Sequence, residues 1–227
     1  MAACIFDMDG TLVDSEPNYF EADRIFLSGF GIEYDDTFRD SMMGRGNLAF
    51  FDVIRERWPD NEINSLPIEE RLRRKDENYL EYARGRTFAF PKMVELLGML
   101  RERGYPLAVA SGSSRLIIQH SLEFAGIAEA FPIRLSAQEV PRGKPEPDVF
   151  LKAAARLGRS PRECVVFEDS QYGVLAALAA GMKVVGVPSP VSGPLPEPFS
   201  RVDLLFRRGM EEFDALAAFR FVEVCGA

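Results

Sequence analysis

The sequence is poor in the residues that most often announce a role or a location. It has 3 cysteines and 1 histidine in 227 residues. Cys4, Cys164 and Cys225 are odd in number and show no CxxC spacing. Cys4 and Cys164 sit inside apolar, strand-like runs, which fits buried thiols in a reducing compartment rather than a disulfide framework. His120 lies in a helical pattern and receives no role. No apolar run reaches the roughly 20 residues of a membrane span, and no basic segment leads into a long apolar stretch at the start. The expectation is a soluble, cytoplasmic protein with no membrane partner.

Positive charge is also in short supply. Lys+Arg number 27 against 35 Asp+Glu, a formal net charge of −8. An acidic surface repels phosphate backbones, so nucleic acid is not expected as a partner. A small phosphorylated metabolite is still compatible, because a bound divalent cation reverses the local sign. Nothing in the sequence implies a protein partner.

What is present is a rhythm of strands and helices. Hydrophobic residues make up 47% of the chain and charged ones 27%, enough for a large core and a smaller second unit. Short apolar, β-branched runs recur at 2–7, 106–111, 164–169 and 183–187, with weaker ones at 133–137 and 203–206. Helical patterns fill 91–104, 114–126, 147–158 and 170–181, and Gly104, Gly126, Gly158 and Gly181 mark their ends. Near-continuous apolar strands alternating with helices predict an α/β fold: a Rossmann-like core whose mainly parallel sheet is covered by helices on both faces. Residues 15–86 break the alternation with helical patterns alone. They read as an inserted all-helical cap over the strand ends, dividing the core into 1–14 and 87–227. Phe50, Phe51, Ile54 and Trp58 read as the core of that insertion, and 187–200, with five prolines, as a surface loop.

Open α/β sheets bind ligands beyond the carboxyl ends of their strands. The first strand ends in Asp7-Met8-Asp9-Gly10-Thr11, the second in Ser111-Gly112-Ser113-Ser114 and a later one in Glu168-Asp169-Ser170. Lys144 falls in the "RGKPEPD" loop before a helix. Two carboxylates one residue apart repel and are costly to desolvate, so Asp7 and Asp9 demand a counter-charge or a shared proton. Asp7, Asp9 and Asp169 are hard oxygen donors suited to Mg²⁺. An ionised Asp7 is able to attack phosphorus, with Asp9 moving the proton. Ser111 and the N–H groups of Gly112 and Ser113 suit phosphate oxygens, and Lys144 supplies positive charge where negative charge gathers. Ser170 reads as the cap of its helix, and Gly173, Ala176, Ala177 and Ala180 as small residues for close packing.

Four pieces, "FDMDGTLVD", "VASGSS", "GKPEPD" and "FEDSQYGV", together resemble the haloacid dehalogenase-like superfamily. They cover most of the chain in the expected order. "DSEP", "RRKDENY" and "EDSQYGV" resemble its branch of β-phosphoglucomutases and small sugar-phosphate phosphatases. The resemblance implies Asp7 as nucleophile, Asp9 as general acid/base, and Ser111 and Lys144 as phosphate ligands. It also implies a Mg²⁺ site formed by Asp7, the Asp9 backbone carbonyl and Asp169, with Glu168 acting through water or from behind the ligands. By the same resemblance Lys75 faces substrate; Arg45, with Asn47 in the "GRGN" turn, is a further substrate-binding candidate. A solvated helix face laced by Glu69–Arg73 and Glu70–Arg74 pairs is the competing reading for the Arg71–Lys75 run. Tyr19 stands where the mutases carry a histidine, and tyrosine is no proton switch near neutral pH. The expected activity is therefore a Mg²⁺-dependent phosphatase of a small phosphorylated sugar or polyol. A phosphomutase using the same aspartyl-phosphate is the alternative, and a non-catalytic phosphate-binding protein a third reading.

Overall fold

A computed structural model describes residues 1–42, 47–190 and 193–226. The chain divides into two compact units, Met1–Asp14 with Phe88–Ala227, and Ser15–Thr87. The second boundary falls one residue beyond the position read from the sequence. Thr87 belongs to the helical unit, where its hydroxyl donates to Ala83 O and the Asn18 amide donates to it.

The larger unit is built on a six-stranded sheet of order β3-β2-β1-β4-β5-β6. β1 is Ala3–Phe6, β2 Leu107–Ser111, β3 Ile133–Ser136, β4 Cys164–Glu168, β5 Lys183–Gly186 and β6 Leu204–Leu205. Every pairing is parallel. Every residue of β1, β2 and β4 is buried, as continuous apolar strands between two helix layers must be. Alternate residues serve opposite faces. Ala3, Ile5, Ala108, Ala110, Cys164 and Val166 join one core cluster with Val149, Phe150, Ala153 and Ala154. Phe6 belongs to the other face, stacked on Phe167 at 4.5 Å and edge-on to Phe131 at 5.7 Å.

The helical unit contains α1 (Glu16–Ser28), α2 (Asp36–Met42), α3 (Asn47–Arg57) and α4 (Ile68–Ala83). In the larger unit follow α5 (Pro91–Glu102), α6 (Arg115–Phe124), α7 (Asp148–Leu157), α8 (Gln171–Ala179) and α9 (Ala215–Cys225). α7 buries Val149, Phe150, Ala153 and Ala154, a spacing that makes one continuous stripe at 3.6 residues per turn. Gly158 ends it in the left-handed region, φ 65° and ψ 35°, where a Cβ would be strained. The sequence pattern does not anticipate α2, of 7 residues, or α9, of 11. No described helix is long and apolar enough to cross a membrane.

The helical unit has its own core of Phe26, Leu27, Ile32, Tyr34, Phe38, Phe50, Phe51, Ile54 and Ile63, with Trp58 packed against it. Phe38 stacks on Phe50 and on Trp58. Lys75 does not belong to a solvated face. Its ammonium is buried, 2.5 Å from Asp23 Oδ1 and 4.8 Å from the Phe50 ring centre. The neighbouring basic residues go elsewhere: Arg73 pairs with Glu70 and Glu77, Arg74 with Glu70, and Arg71 lies over the Phe51 ring. Arg45 lies outside the described residues, and of Asn47 only the backbone is described.

Candidate active site

The sheet order reverses direction between β1 and β4, and at such a switch point the connecting helices diverge and leave a crevice. Asp7 and Asp9 follow β1, Glu168 is the last residue of β4, and Asp169 begins the loop that leaves it.

The β1 loop explains how two carboxylates fit one residue apart. Asp7 N–H still donates to Phe167 O at 3.0 Å, extending the pairing with β4. Met8 then turns into the core, fully buried, and its carbonyl accepts from the N–H groups of Thr11, Leu12 and Val13. The buried Met8 anchors a tight turn, and the flanking aspartates meet different partners, Asp7 the Lys144 ammonium and Asp9 the hydroxyls of Ser113 and Ser111. Gly10 closes it at φ 77°, with its N–H on Val13 O.

Lys144 is the cation of the site. Its ammonium lies 2.5 Å from Asp7 Oδ1 and 2.5 Å from Glu168 Oε1, with the Phe150 ring centre at 5.0 Å. Glu168 is fully buried and saturated: its other oxygen accepts from Ser170 N–H at 2.8 Å and Ser170 Oγ at 3.0 Å. Ser170 also caps α8, accepting from Gly173 N–H at 3.0 Å. One serine thus starts a helix and fixes a buried carboxylate.

Asp9 is held by the loop after β2. Ser113 Oγ donates to Asp9 Oδ2 at 2.7 Å and Ser111 Oγ at 3.4 Å. Ser113 N–H is turned onto Ser111 Oγ at 3.0 Å, while Ser136 Oγ donates to Ser113 O at 2.6 Å. Ser114, rather than Ser111 or Gly112, caps α6 through Ile117 N–H. Asp169 accepts from Ser189 Oγ at 2.5 Å and lies 3.5 Å from Thr11 Oγ1.

The electrostatics are unbalanced toward negative charge. Burial pushes the Asp7 carboxyl up to about 8; Lys144 pulls the other way, while Glu168 and Asp9 push further up. Burial also lifts Asp169 well above the usual carboxylate range, reinforced by Glu168 and Asp7. Lys144 is buried, which opposes its charge, yet Asp7 and Glu168 hold its proton more firmly than usual. One ammonium therefore faces several buried carboxylates.

Among the described residues no three His, Cys, Asp or Glu side chains form a ready-made metal cage. The donor set nevertheless suits a hard divalent cation that retains waters: oxygen only, with buried carboxylates short of positive charge. Asp7 and Asp169 have the chemistry to ligate it. Glu168, with both oxygens already engaged, is better placed to hold Lys144 than to bind an ion directly.

The structure thus brings Asp7, Glu168 and Lys144 into one contact group, and Asp9, Ser111 and Ser113 into another. Gly112 joins these two serines in the same loop. Lys75 lies in the helical unit, engaged by Asp23. Sequence reasoning missed Ser189, Ser136 and the part played by Gly173. Ser189 sits in the proline-rich stretch read as plain surface loop, and its position at the carboxyl end of β5 was the available signal.

A parallel sheet with acidic and hydroxyl side chains at the carboxyl ends of β1, β2 and β4 defines a ligand-binding α/β protein. Residues 1–181 match the sequence model of haloacid dehalogenase-like hydrolases, and the chain belongs to that family. It is 32% identical over 188 residues to the fructose-1-phosphate phosphatase YqaB of Escherichia coli, covering 82% of this chain and 96% of that protein. It is 36% identical over 198 residues to the Drosophila melanogaster protein named "Probable pseudouridine-5'-phosphatase", covering 82% of this chain and 81% of that one. Among solved structures, β-phosphoglucomutase from Clostridium difficile superposes with a TM-score of 0.77 over 100% of this chain and 97% of that one. At 24% identity this establishes a shared fold.

Proposed function

We propose that the protein is a Mg²⁺-dependent phosphatase of a small phosphorylated sugar or polyol. The observation that carries this reading is the Lys144 ammonium shared between Asp7 and Glu168, 2.5 Å from each. It places a fixed cation beside a buried carboxylate at the switch point of the sheet, where a phosphoryl group would gather negative charge. The phosphatase relatives support the choice of substrate class.

Asp7, the Asp9 carbonyl and Asp169 would hold the ion, with Glu168 behind them. When bound, it supplies positive charge against Asp7, Asp169 and the phosphate oxygens. Asp7 attacks phosphorus, the ester P–O bond breaks, and Asp9 gives its proton to the leaving alkoxide. Ser111 and the loop N–H of Gly112 grip the phosphate oxygens, with Ser113, expected there from the sequence, supporting the Ser111 hydroxyl through its own N–H, and Lys144 meets the charge on the transferring group. Water then attacks the aspartyl-phosphate while Asp9 takes its proton. The P–O bond to Asp7 breaks, releasing phosphate and restoring both carboxyl groups.

Choice of substrate is assigned to the helical unit, acting as a cap, with Arg45 as its substrate-contact candidate; the sequence expectation that Lys75 faces substrate gives way to a buried pair with Asp23. A cytoplasmic setting belongs to the same reading, since Cys4, Cys164 and Cys225 are free thiols. The test is phosphate release from a panel of sugar and polyol phosphates with MgCl₂. Wild-type turnover and its abolition in Asp7→Asn are expected; full activity of Asp7→Asn would remove Asp7 as nucleophile.

A further inference from the structure

We propose that Ser189 is a positioning residue that sets the orientation of Asp169 for the divalent cation. The inference rests on the reading above that Asp169 is an ion ligand.

The β5 strand does not stop interacting with β4 at the sheet edge. Glu168 pairs with Gly186, Val187 N–H donates to Glu168 O at 2.8 Å, and Ser189 N–H donates to Asp169 O at 3.3 Å. The two chains therefore run on together past the sheet, and Ser189 is tied to the backbone of the residue it serves. Its hydroxyl then donates to Asp169 Oδ2 at 2.5 Å. Backbone and side-chain contacts thus fix both the position and the rotation of one carboxylate.

A second observation comes from the opposite side of the same carboxylate. A side chain at Gly10 would collide with Asp169 Oδ2, and its Cβ would lie 2.9 Å from Ser189 Oγ. The bare Cα of Gly10 leaves the room in which the Asp169–Ser189 pair sits. Thr11 Oγ1, 3.5 Å from Asp169 Oδ1, lies beyond good hydrogen-bond range and holds that oxygen only weakly. Oδ1 is therefore the oxygen left with capacity for a ligand bond. Hydrogen bonds that orient a ligating carboxylate matter to metal affinity by about 10–100-fold.

The test titrates MgCl₂ into the full chain and into Ser189→Ala, Ser189→Thr and Asp169→Asn. Binding is read by calorimetry and by the Mg²⁺-dependent rise in Tm, with the metal-free Tm checking that each variant folds. Ser189→Ala is expected to weaken Mg²⁺ by about 10–100-fold and Ser189→Thr to restore most of the loss. Mg²⁺ affinity in Ser189→Ala within about twofold of wild type, with Asp169→Asn defective, would overturn the role of Ser189 alone. Undiminished binding by Asp169→Asn would overturn the ion-site reading itself, and the inference with it.

Discussion

The carboxylate of Glu168 fills the space that a side chain at Gly173 would need; a Cβ there would overlap its oxygens outright. Glu168 cannot retreat, because Lys144 and Ser170 hold both of its oxygens in a fully buried site. Gly173→Ala should therefore drive Glu168 off its partners. Overpacking of this kind costs about 1–3 kcal/mol, and displacing Lys144 by about an ångström lowers turnover by roughly a hundredfold. Denaturant unfolding and phosphate release measured together check it. A variant with wild-type stability and turnover would show that α8 shifts away freely.

Asp7 gives a pH signature that needs no substrate. Its folded value of about 8 lies above the roughly 3.9 of a free aspartate, because burial outweighs the pull of Lys144. A raised folded value contributes stability that is complete below the unfolded value and is lost as pH rises through the folded one. In EDTA, the unfolding free energy of the wild type should therefore fall between about pH 4 and pH 8 relative to Asp7→Asn. Equilibrium unfolding at several pH values decides. Parallel curves for the two proteins would mean that Lys144 fully compensates Asp7.

The Lys75–Asp23 pair carries a stability prediction inside the helical unit. Both partners are buried, and Phe50 and Tyr19 rings flank the ammonium. Removing one partner strands the other charge out of water, a loss of about 3–5 kcal/mol. Lys75→Met should be destabilised on that scale, and Lys75→Met with Asp23→Asn should recover a large part of it. A double-mutant cycle by denaturant unfolding measures the coupling; additive losses would exclude a direct buried pair.

How much of this was readable in advance depended on whether the signal was local. Continuous apolar strands ending in charged or hydroxyl residues made the parallel sheet legible, along with the strand ends bearing Asp7, Ser111 and Glu168. The order β3-β2-β1-β4-β5-β6, which puts β1 beside β4, follows from packing across the whole chain and is not written in any window. Ser189 and Ser136 escaped notice because an isolated serine after a strand carries no pattern until the neighbouring strand is known. Lys75 shows the converse. Its helix spacing offered a shared face with Arg71 and Arg74, but only three-dimensional packing brings Asp23, 52 residues earlier, against its ammonium.

Tyr19 supplies the last prediction, which separates hydrolysis from phosphoryl transfer between sugar hydroxyls. Its ring stacks on Tyr79 at 4.1 Å, with the Lys75 ammonium 5.7 Å from its centre. A packed aromatic ring of this kind offers no group that gains or loses a proton near pH 7. A tyrosine in place of the histidine of the mutases therefore favours water over a second sugar hydroxyl as the acceptor. Given β-glucose 1-phosphate and a trace of glucose 1,6-bisphosphate, the wild type should release free phosphate faster than it forms glucose 6-phosphate. Tyr19→Phe keeps the ring and removes only the hydroxyl, so the ratio of the two products should not change. Product ratios from coupled assays on both proteins decide the matter: glucose 6-phosphate in excess from the wild type would make it a mutase, and a ratio altered in Tyr19→Phe would assign the phenol a part in choosing the acceptor.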